Sequence, residues 1–407
     1  MKCYEDLKWR GLIQDISDPK LIDKLNNESL TFYIGTDPTA DSMHIGHYSS
    51  FLISKRLAKY GHKPILLVGG ATGLIGDPKP TSERPMISKE EVEHNFKGLK
   101  KQAEEIFGFE VVNNFDWTKD INVIDFLRDY GKYFNVGYML GKDKVRSRME
   151  SGITYAEFSY MILQALDFMY LYEHRNCTLQ VAGSDQWGNI TSGIELIRKK
   201  LGKEAYGMVM PLVTDSNGVK FGKTEGNALW LDKNKTSSYQ LYQYLINLED
   251  SMIISYLKML TFLTKEEIEA LEEKNKNNPE LREAHKALAK SIITDLHGKD
   301  EYQKAVMMSE ALFTGKFNEL NKKEIEELFT DNEKINVSSN QNIMDLIINI
   351  GAASSKREAK EFILGNAISI NGNKINDIDY LITNKDFLDD TYIIVKRGKK
   401  NYYIGKK

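Results

Sequence analysis

The sequence predicts an α/β chain: a doubly wound parallel sheet over residues 1–232, a helical domain over 233–330, a linker at 331–342 and a small α+β unit over 343–407. Three observations predict it. Short apolar runs alternate with helical periodicity in the first half, the strand signal fades after about 233, and a polar stretch separates the last 65 or so residues from the rest.

The first strand–helix–strand unit is the clearest. TFYIG (31–35) and PILLV (64–68) are short apolar runs bounded by glycine. Between them, 44–59 places Ile45, Tyr48, Leu52, Ile53 and Leu57 near helical spacing, with Gly61 where the helix should stop. Such a unit implies parallel strands with helices on the sheet faces. A second follows at 178–182 (TLQVA) and a helix over about 187–200. In these sheets ligands bind outside the carboxyl ends of the strands. Beyond 233, segments 239–248 and 264–274 read as helices, the latter opened by a capping box of Thr264 and Glu267. Residues 331–342 (DNEKINVSSNQN) are polar and poor in large apolar residues, as a linker would be. The last unit begins helically and carries β-like pieces near 367–370 and 392–395.

Composition narrows the function classes. The 407 residues are 41 % hydrophobic and 28 % charged, with a formal charge of −3, so any polyanion must be met by local basic patches. Residues 343–407 supply one: eleven Lys or Arg against eight Asp or Glu, a net +3. Two cysteines, Cys3 and Cys177, are too few for a disulfide framework or a zinc site and fit a reducing cytosol. No secretory signal or membrane span is expected from the sequence.

Two segments carry chemistry. In YIGTDPTADSMHIGH (33–47), His44 and His47 share a face at the start of a helix, where free N–H groups and the dipole suit phosphate. Two imidazoles there can donate to a phosphoryl oxygen as it gains charge. A metal pair is the alternative, but no third ligand falls at a suitable spacing; a plain polar helix start is the other. The second segment is Lys220-Phe221-Gly222-Lys223-Thr224, two lysines about a glycine, able to neutralise a leaving pyrophosphate. It is not a P-loop, because Asn217 occupies the first required glycine position. Alone it would pass for an exposed lysine turn. A third feature is the stripe Tyr160, Gln164 and Asp167 on an otherwise apolar helix, which suggests an amphipathic ligand; pairing of Asp167 with a nearby Lys or Arg is the competing account.

Together with GGATGLIGDP (69–78), YAEFSYMILQALD (155–167) and QVAGSDQWGN (180–189), these segments occur in an order that resembles the bacterial-type tyrosyl-tRNA synthetases of class I, over essentially the entire chain. The resemblance implies a Rossmann-like catalytic domain, a helical anticodon-binding domain and a ribosomal-protein-type RNA-binding tail. It implies activation of tyrosine by ATP with Mg²⁺, transfer to tRNA, a cytoplasmic homodimer meeting through 123–140, and no tightly bound cofactor or protein-held metal. Tyr33 and Asp167 would bind the phenol hydroxyl, with Asp77, Tyr160 and Gln164 around the ammonium. Gly35, Asp37, Gly183, Asp185 and Gln186 would line the tyrosine and ribose side. Thr39, His44 and His47 would meet the ATP phosphates, and Lys220, Lys223 and Thr224 the pyrophosphate. Ile34 stands where family members often carry Cys, and segment 78–84, with Lys79 and Arg84, is shorter than a common family form. A tryptophan-specific relative is the nearest alternative; Tyr33 with Asp167, and the tail, argue against it. A synthetase-like RNA-binding protein without catalysis is another, opposed by the intact His44, His47, Lys220 and Lys223.

Overall fold

The computed structural model describes residues 1–78, 85–149, 152–224, 227–399 and 401–407, without the side chains of residues 143, 144, 223, 224 and 227. Lys79 and Arg84 therefore lie outside the described residues. The chain contacts divide into two units, one of residues 1–237 with 244–296, the other of 238–243 with 297–407.

The first unit is built on a six-stranded sheet. Its strands are β1 (Asp15–Ile16), β2 (Thr31–Thr36), β3 (Lys63–Val68), β4 (Val111–Asn113), β5 (Cys177–Gly183) and β6 (Tyr206–Met210), in the order β1-β6-β5-β2-β3-β4. All neighbours are parallel except β1, which pairs antiparallel with β6 at the edge. The chain winds from β2 outward to β4, then returns to β5 on the other side of β2. The strand order thus reverses between β2 and β5, the switch point at which open α/β sheets open a crevice. Central strands are buried on both faces, which is why β3 and β6 read as continuous apolar runs rather than alternating ones.

Helix α1 (Ile45–Lys59) follows β2, capped by the side chain of His44, and the chain leaves it through Gly61 at φ +89°. Helix α2 (Tyr155–Arg175), capped by Thr154, and α3 (Trp187–Leu201) flank β5. These match the expected strands and helices to within one to three residues at their ends. Helix α4 (Ile253–Leu260) and the helix Lys265–Asn277 also belong to this unit, the latter with the expected Thr264–Glu267 capping box.

In the second unit, β9 (Lys334–Asn336), β10 (Ile368–Ile370), β11 (Asn373–Lys374), β12 (Tyr392–Arg397) and β13 (Asn401–Lys406) form a sheet in the order β11-β10-β12-β13-β9. Here the structure corrects the sequence reading. The supposed linker 331–342 contributes β9, paired parallel to β13 with Ile404 opposite Lys334. Its polar composition is that of an edge strand, half of it facing water.

Both faces of this sheet are covered. Ile393 and Val395 of β12 pack with α7 (Ile343–Asn349) and α8 (Lys356–Leu364), through Leu346, Ile347, Ala359 and Ile363. Tyr392 and Ile394, one residue out of phase, pack with Met308, Ala311, Phe317, Ile325 and Phe329, from or beside α5 (Lys299–Thr314) and α6 (Lys322–Leu328). The β-period of two thus joins helices from the expected helical domain to strands of the expected tail in one core. A close backbone approach seals it: a Cβ on Gly372 would lie 2.0 Å from the Gly315 carbonyl oxygen. The chain therefore does not divide at 232/233 or at 331–342.

Candidate active site

The candidate residues converge at the carboxyl ends of β2 and β5. Strand β2 runs into Asp37 and Thr39, and β5 into Asp185 and Gln186 ahead of α3.

Asp167, on α2, lies on the core side of this crevice and is 2 % exposed. Its oxygens accept from neutral donors, the Asn114 side-chain amide (2.9 Å) and the Trp117 indole N–H (2.9 Å). Among the described residues, no Lys or Arg forms the ion pair of the competing account. Burial, only partly offset by those two hydrogen bonds, pushes its carboxyl up to about 7. Asn114 also donates to the Thr72 hydroxyl (3.0 Å), Thr72 donates to one Asp37 oxygen (2.7 Å), and the Tyr160 hydroxyl donates to the other (2.9 Å). A continuous polar chain therefore runs from Trp117 to Tyr160 beneath the crevice.

Three side chains beside it hold buried oxygens with no hydrogen-bond partner among the described residues: the Tyr33 hydroxyl, Gln164 Oε1 and Gln180 Oε1. Tyr33 and Gln180 are paired in register across β2 and β5. Burial, then Asp167 and Cys177, hold the Tyr33 phenol well above its ordinary value, so it stays protonated. An unmet buried polar atom costs about 1–3 kcal/mol, so three together beside Asp167 suit a ligand able to complete the bonding.

Burial first, and then Asp37, Asp77 and Asp167, raise the Tyr160 hydroxyl well above its ordinary value. Asp77 accepts from Gln186 Nε2 (3.0 Å) and Asn189 Nδ2 (3.3 Å), and Asn189 also donates to Gln186 Oε1 (2.8 Å). One carboxylate in contact with this buried hydroxyl, and two more close enough to act on it, make an acidic environment suited to an ammonium group. Gly183 and Asp185 adjoin it, a Cβ at Gly183 falling 2.9 Å from Asp185 Oδ1. Gly35, Thr39 and Asp185 are exposed on the open side, and Ile34 is buried in β2.

On the phosphate side, the geometry of the two histidines fixes their protons. The Gly46 N–H donates to His44 Nδ1 (3.1 Å) and the His44 N–H donates to His47 Nδ1 (3.2 Å). An Nδ1 that accepts leaves the proton on Nε2, so each ring in its neutral form carries its one N–H donor there. The rings stack at 3.9 Å, and desolvation with the His44 neighbour pushes the His47 imidazole down to about 3. His47 is therefore a neutral donor at physiological pH.

The lysine segment lies against this helix start. Leu229 O accepts from the Ile45 N–H (2.8 Å), Met43 O accepts from the Leu231 N–H (2.8 Å), and a Cβ on Gly222 would sit 1.8 Å from Ile45 Cγ2. Lys220 is exposed, and Lys223–Thr224 pairs as strand β7 with β8 (Asn227–Ala228), the side chains of Lys223 and Thr224 being outside the described ones.

Five residues here were missed from the sequence: Thr72, Asn114, Trp117, Gln180 and Asn189. Thr72, Gln180 and Asn189 sit inside quoted motifs and were available as polar residues between buried neighbours. Asn114 and Trp117 follow the short strand β4, where nothing in the pattern singles them out.

Comparison with known proteins extends these observations over the chain. The family described as "tRNA synthetases class I (W and Y)" matches residues 25–314, and "Tyrosine--tRNA ligase SYY-like C-terminal domain" matches 324–404. A tyrosine--tRNA ligase of Staphylococcus carnosus is 50 % identical over 415 aligned residues, covering 100 % of this chain and 99 % of the relative. That of Staphylococcus haemolyticus is 49 % identical, covering 98 % of each. Among solved structures, a C-terminally truncated Aspergillus nidulans mitochondrial tyrosyl-tRNA synthetase aligns with a TM-score of 0.69 at 33 % identity, over 77 % of this chain and 94 % of that one. A tryptophanyl-tRNA synthetase from Encephalitozoon cuniculi shares the fold at a TM-score of 0.54 and 17 % identity, over 74 % and 86 %.

Proposed function

From the premise that this chain belongs to the class I tyrosine–tRNA ligases, we propose which of its residues carry each step. The activity is the activation of tyrosine with ATP and transfer of the tyrosyl group to tRNA. Tyr33 and Asp167 hold the substrate phenol, Tyr33 donating and Asp167 accepting. Asp77, Tyr160 and Gln164 surround the ammonium, with Gln186 bracing Asp77. Gly35, Asp37, Gly183 and Asp185 face the adenosine side. The tyrosine carboxylate then attacks the α-phosphate of ATP, the bond to the β-phosphate breaks, and pyrophosphate leaves. Thr39, His44 and His47 donate to the phosphates, and Lys220, Lys223 and Thr224 neutralise the departing group. Mg²⁺ enters with ATP as part of the substrate, held chiefly by phosphate oxygens. No protein nucleophile is needed; positioning and charge stabilisation suffice.

The observation that carries this reading is the trio of unpartnered oxygens on Tyr33, Gln164 and Gln180 beside a buried Asp167. It supports tyrosine over tryptophan, since only a phenol both donates to a carboxylate and accepts from a hydroxyl. The pH dependence of binding tests it. Asp167 must be ionised to accept the phenol proton, and a bound donor lowers its pKa below the value of about 7 in the free site. Tyrosine affinity should therefore rise with pH up to about 7 and level off above it, falling by up to about tenfold per unit below. Equilibrium binding measured from about pH 6 to about pH 8.5 checks the sign; affinity that rises on acidification contradicts it.

We also propose that the chain is a cytoplasmic homodimer. Val123, Ile124, Leu127, Val136, Tyr138 and Tyr155 are large apolar or aromatic side chains left exposed, Val123 at 71 %. A cluster of that kind marks an interaction surface, and it supports the expected interface at 123–140, extended to Tyr155.

For tRNA, the reading assigns anticodon contact to the helices of 233–330 and phosphate contacts to 343–407. Lys356, 77 % exposed in a loose ion pair with Asp345 (3.7 Å), and Lys396, half-buried over the Tyr402 ring, are the charges assigned to this. Arg397 instead donates to the Ala352 carbonyl (2.7 Å) and holds the core of its own unit. Lys356→Ala with Lys396→Ala should weaken tRNA affinity and lower the slope of log affinity against log salt by about 1–2, leaving tyrosine-dependent pyrophosphate exchange unchanged. Unaltered salt dependence contradicts the assignment. Ending the chain near Asn340 is the poorer experiment, because it strips Tyr392, Ile394 and Ile404 from Phe317 and Phe329 and leaves an apolar face in water.

A further inference from the structure

The lysine segment is held by an aromatic clasp that the reaction scheme does not use. Phe221, 5 % exposed, lies between two tyrosines, 5.0 Å from the Tyr256 ring and 5.6 Å, edge on, from that of Tyr244. The Tyr256 hydroxyl donates to the Thr214 carbonyl (3.0 Å), at the base of the turn that precedes Lys220. The Tyr244 hydroxyl accepts from the Gly222 N–H (2.9 Å), between the two lysines.

Gly222 is the point at which this segment meets α1. Its φ of +80° and the 1.8 Å a Cβ would leave to Ile45 mean that only glycine fits, wedged beside the residue that follows His44. Helix α4, which carries Tyr256, also receives the far end of α1, where Arg56 donates to the carbonyls of Thr261 (2.8 Å) and Met259 (3.4 Å). One helix thus fixes both the histidine helix and the floor of the lysine segment, and the Tyr244 hydroxyl sets the peptide plane between them.

We propose that Tyr244 is a positioning residue for tyrosine activation, its hydroxyl fixing the Gly222 peptide and with it the placement of Lys220 against the start of α1. The proposal rests on the reading above that the lysine segment meets the ATP phosphates. Tyr244 touches no substrate and acts through the backbone. Its ring packing and its hydrogen bond are separable, because phenylalanine keeps the edge-on contact with Phe221 and loses only the acceptor.

The test compares Tyr244→Phe, Lys220→Ala and the double variant in single-turnover formation of tyrosyl-adenylate, with tyrosine affinity and thermal unfolding measured alongside. Tyr244→Phe should slow adenylate formation about three- to tenfold, the kinetic equivalent of one neutral hydrogen bond. Tyrosine affinity and the unfolding temperature should hold. In the Lys220→Ala background the same change should add less than about twofold, because the residue it positions is gone. A slow Lys220→Ala with a wild-type Tyr244→Phe overturns the positioning role and leaves the lysine reading standing. A wild-type rate in Lys220→Ala overturns the lysine reading, and the role of Tyr244 falls with it. Multiplicative slowing in the double variant also overturns the proposal.

Discussion

His44→Ala should slow formation of tyrosyl-adenylate by roughly 10²–10³-fold, the scale of removing one preorganised transition-state donor. The size of the effect follows from the proton's location. With Nδ1 accepting from Gly46, the proton stays on Nε2, and the ring has no rotational choice to make as charge develops on the phosphate. Tyrosine affinity should barely change, because these donors matter mainly once that charge appears. His47→Ala should slow the reaction less. Its ring stacks on His44 and accepts from the His44 N–H, so part of its effect passes through His44. Loss of the cap is a separate effect, worth about 1 kcal/mol of stability. His44→Asn separates them, since asparagine restores the cap acceptor but its shorter amide does not reach the position of the ring Nε2–H; its unfolding temperature should recover while its rate stays low. Rapid-quench kinetics on the three variants measures this, and wild-type rates in His44→Ala contradict it.

Asp167→Ala should weaken tyrosine binding by about 10–150-fold, the range for losing a hydrogen bond to a charged acceptor. It also leaves the Asn114 amide and Trp117 indole without their acceptor, so stability should drop as well. Asp167→Asn keeps the volume and removes the charge, and it should show the binding loss with a smaller stability change. Tyr33→Phe removes a neutral donor only. It should reduce discrimination against phenylalanine by about 0.5–1.5 kcal/mol, since the ring edge left behind tolerates an apolar substrate. Exchange kinetics with tyrosine and phenylalanine on each variant reads both numbers. Full discrimination in both Asp167→Ala and Tyr33→Phe would place the phenol elsewhere.

The sequence disclosed the sheet strands because each is a short apolar run at a fixed distance from a helical pattern, and β2 with α1 shows both periods within thirty residues. It disclosed the stripe on α2 because Tyr160, Gln164 and Asp167 break an apolar wall at helical spacing. What it hid is tertiary. Asn114 is wholly buried and links Thr72 to Asp167, yet nothing in the residues around it marks it as more than part of a turn. Gln180 stood in a recognised motif, but its role comes from register with Tyr33 across the sheet, which one strand alone does not specify. The segment 331–342 looked like a linker because an edge strand needs few apolar residues; its partner β13 lies some seventy residues further on. The clasp on Phe221 is similar, since Tyr244 and Tyr256 lie in helices whose aromatic residues otherwise read as core.

The most direct test of the account is tyrosine activation itself: ATP–pyrophosphate exchange by the full chain across the twenty amino acids. Exchange should occur with tyrosine, far more weakly with phenylalanine and not with tryptophan, and the tyrosine signal should be lost in His44→Ala. Exchange driven by tryptophan as well as by tyrosine, or by no amino acid at all, would contradict it.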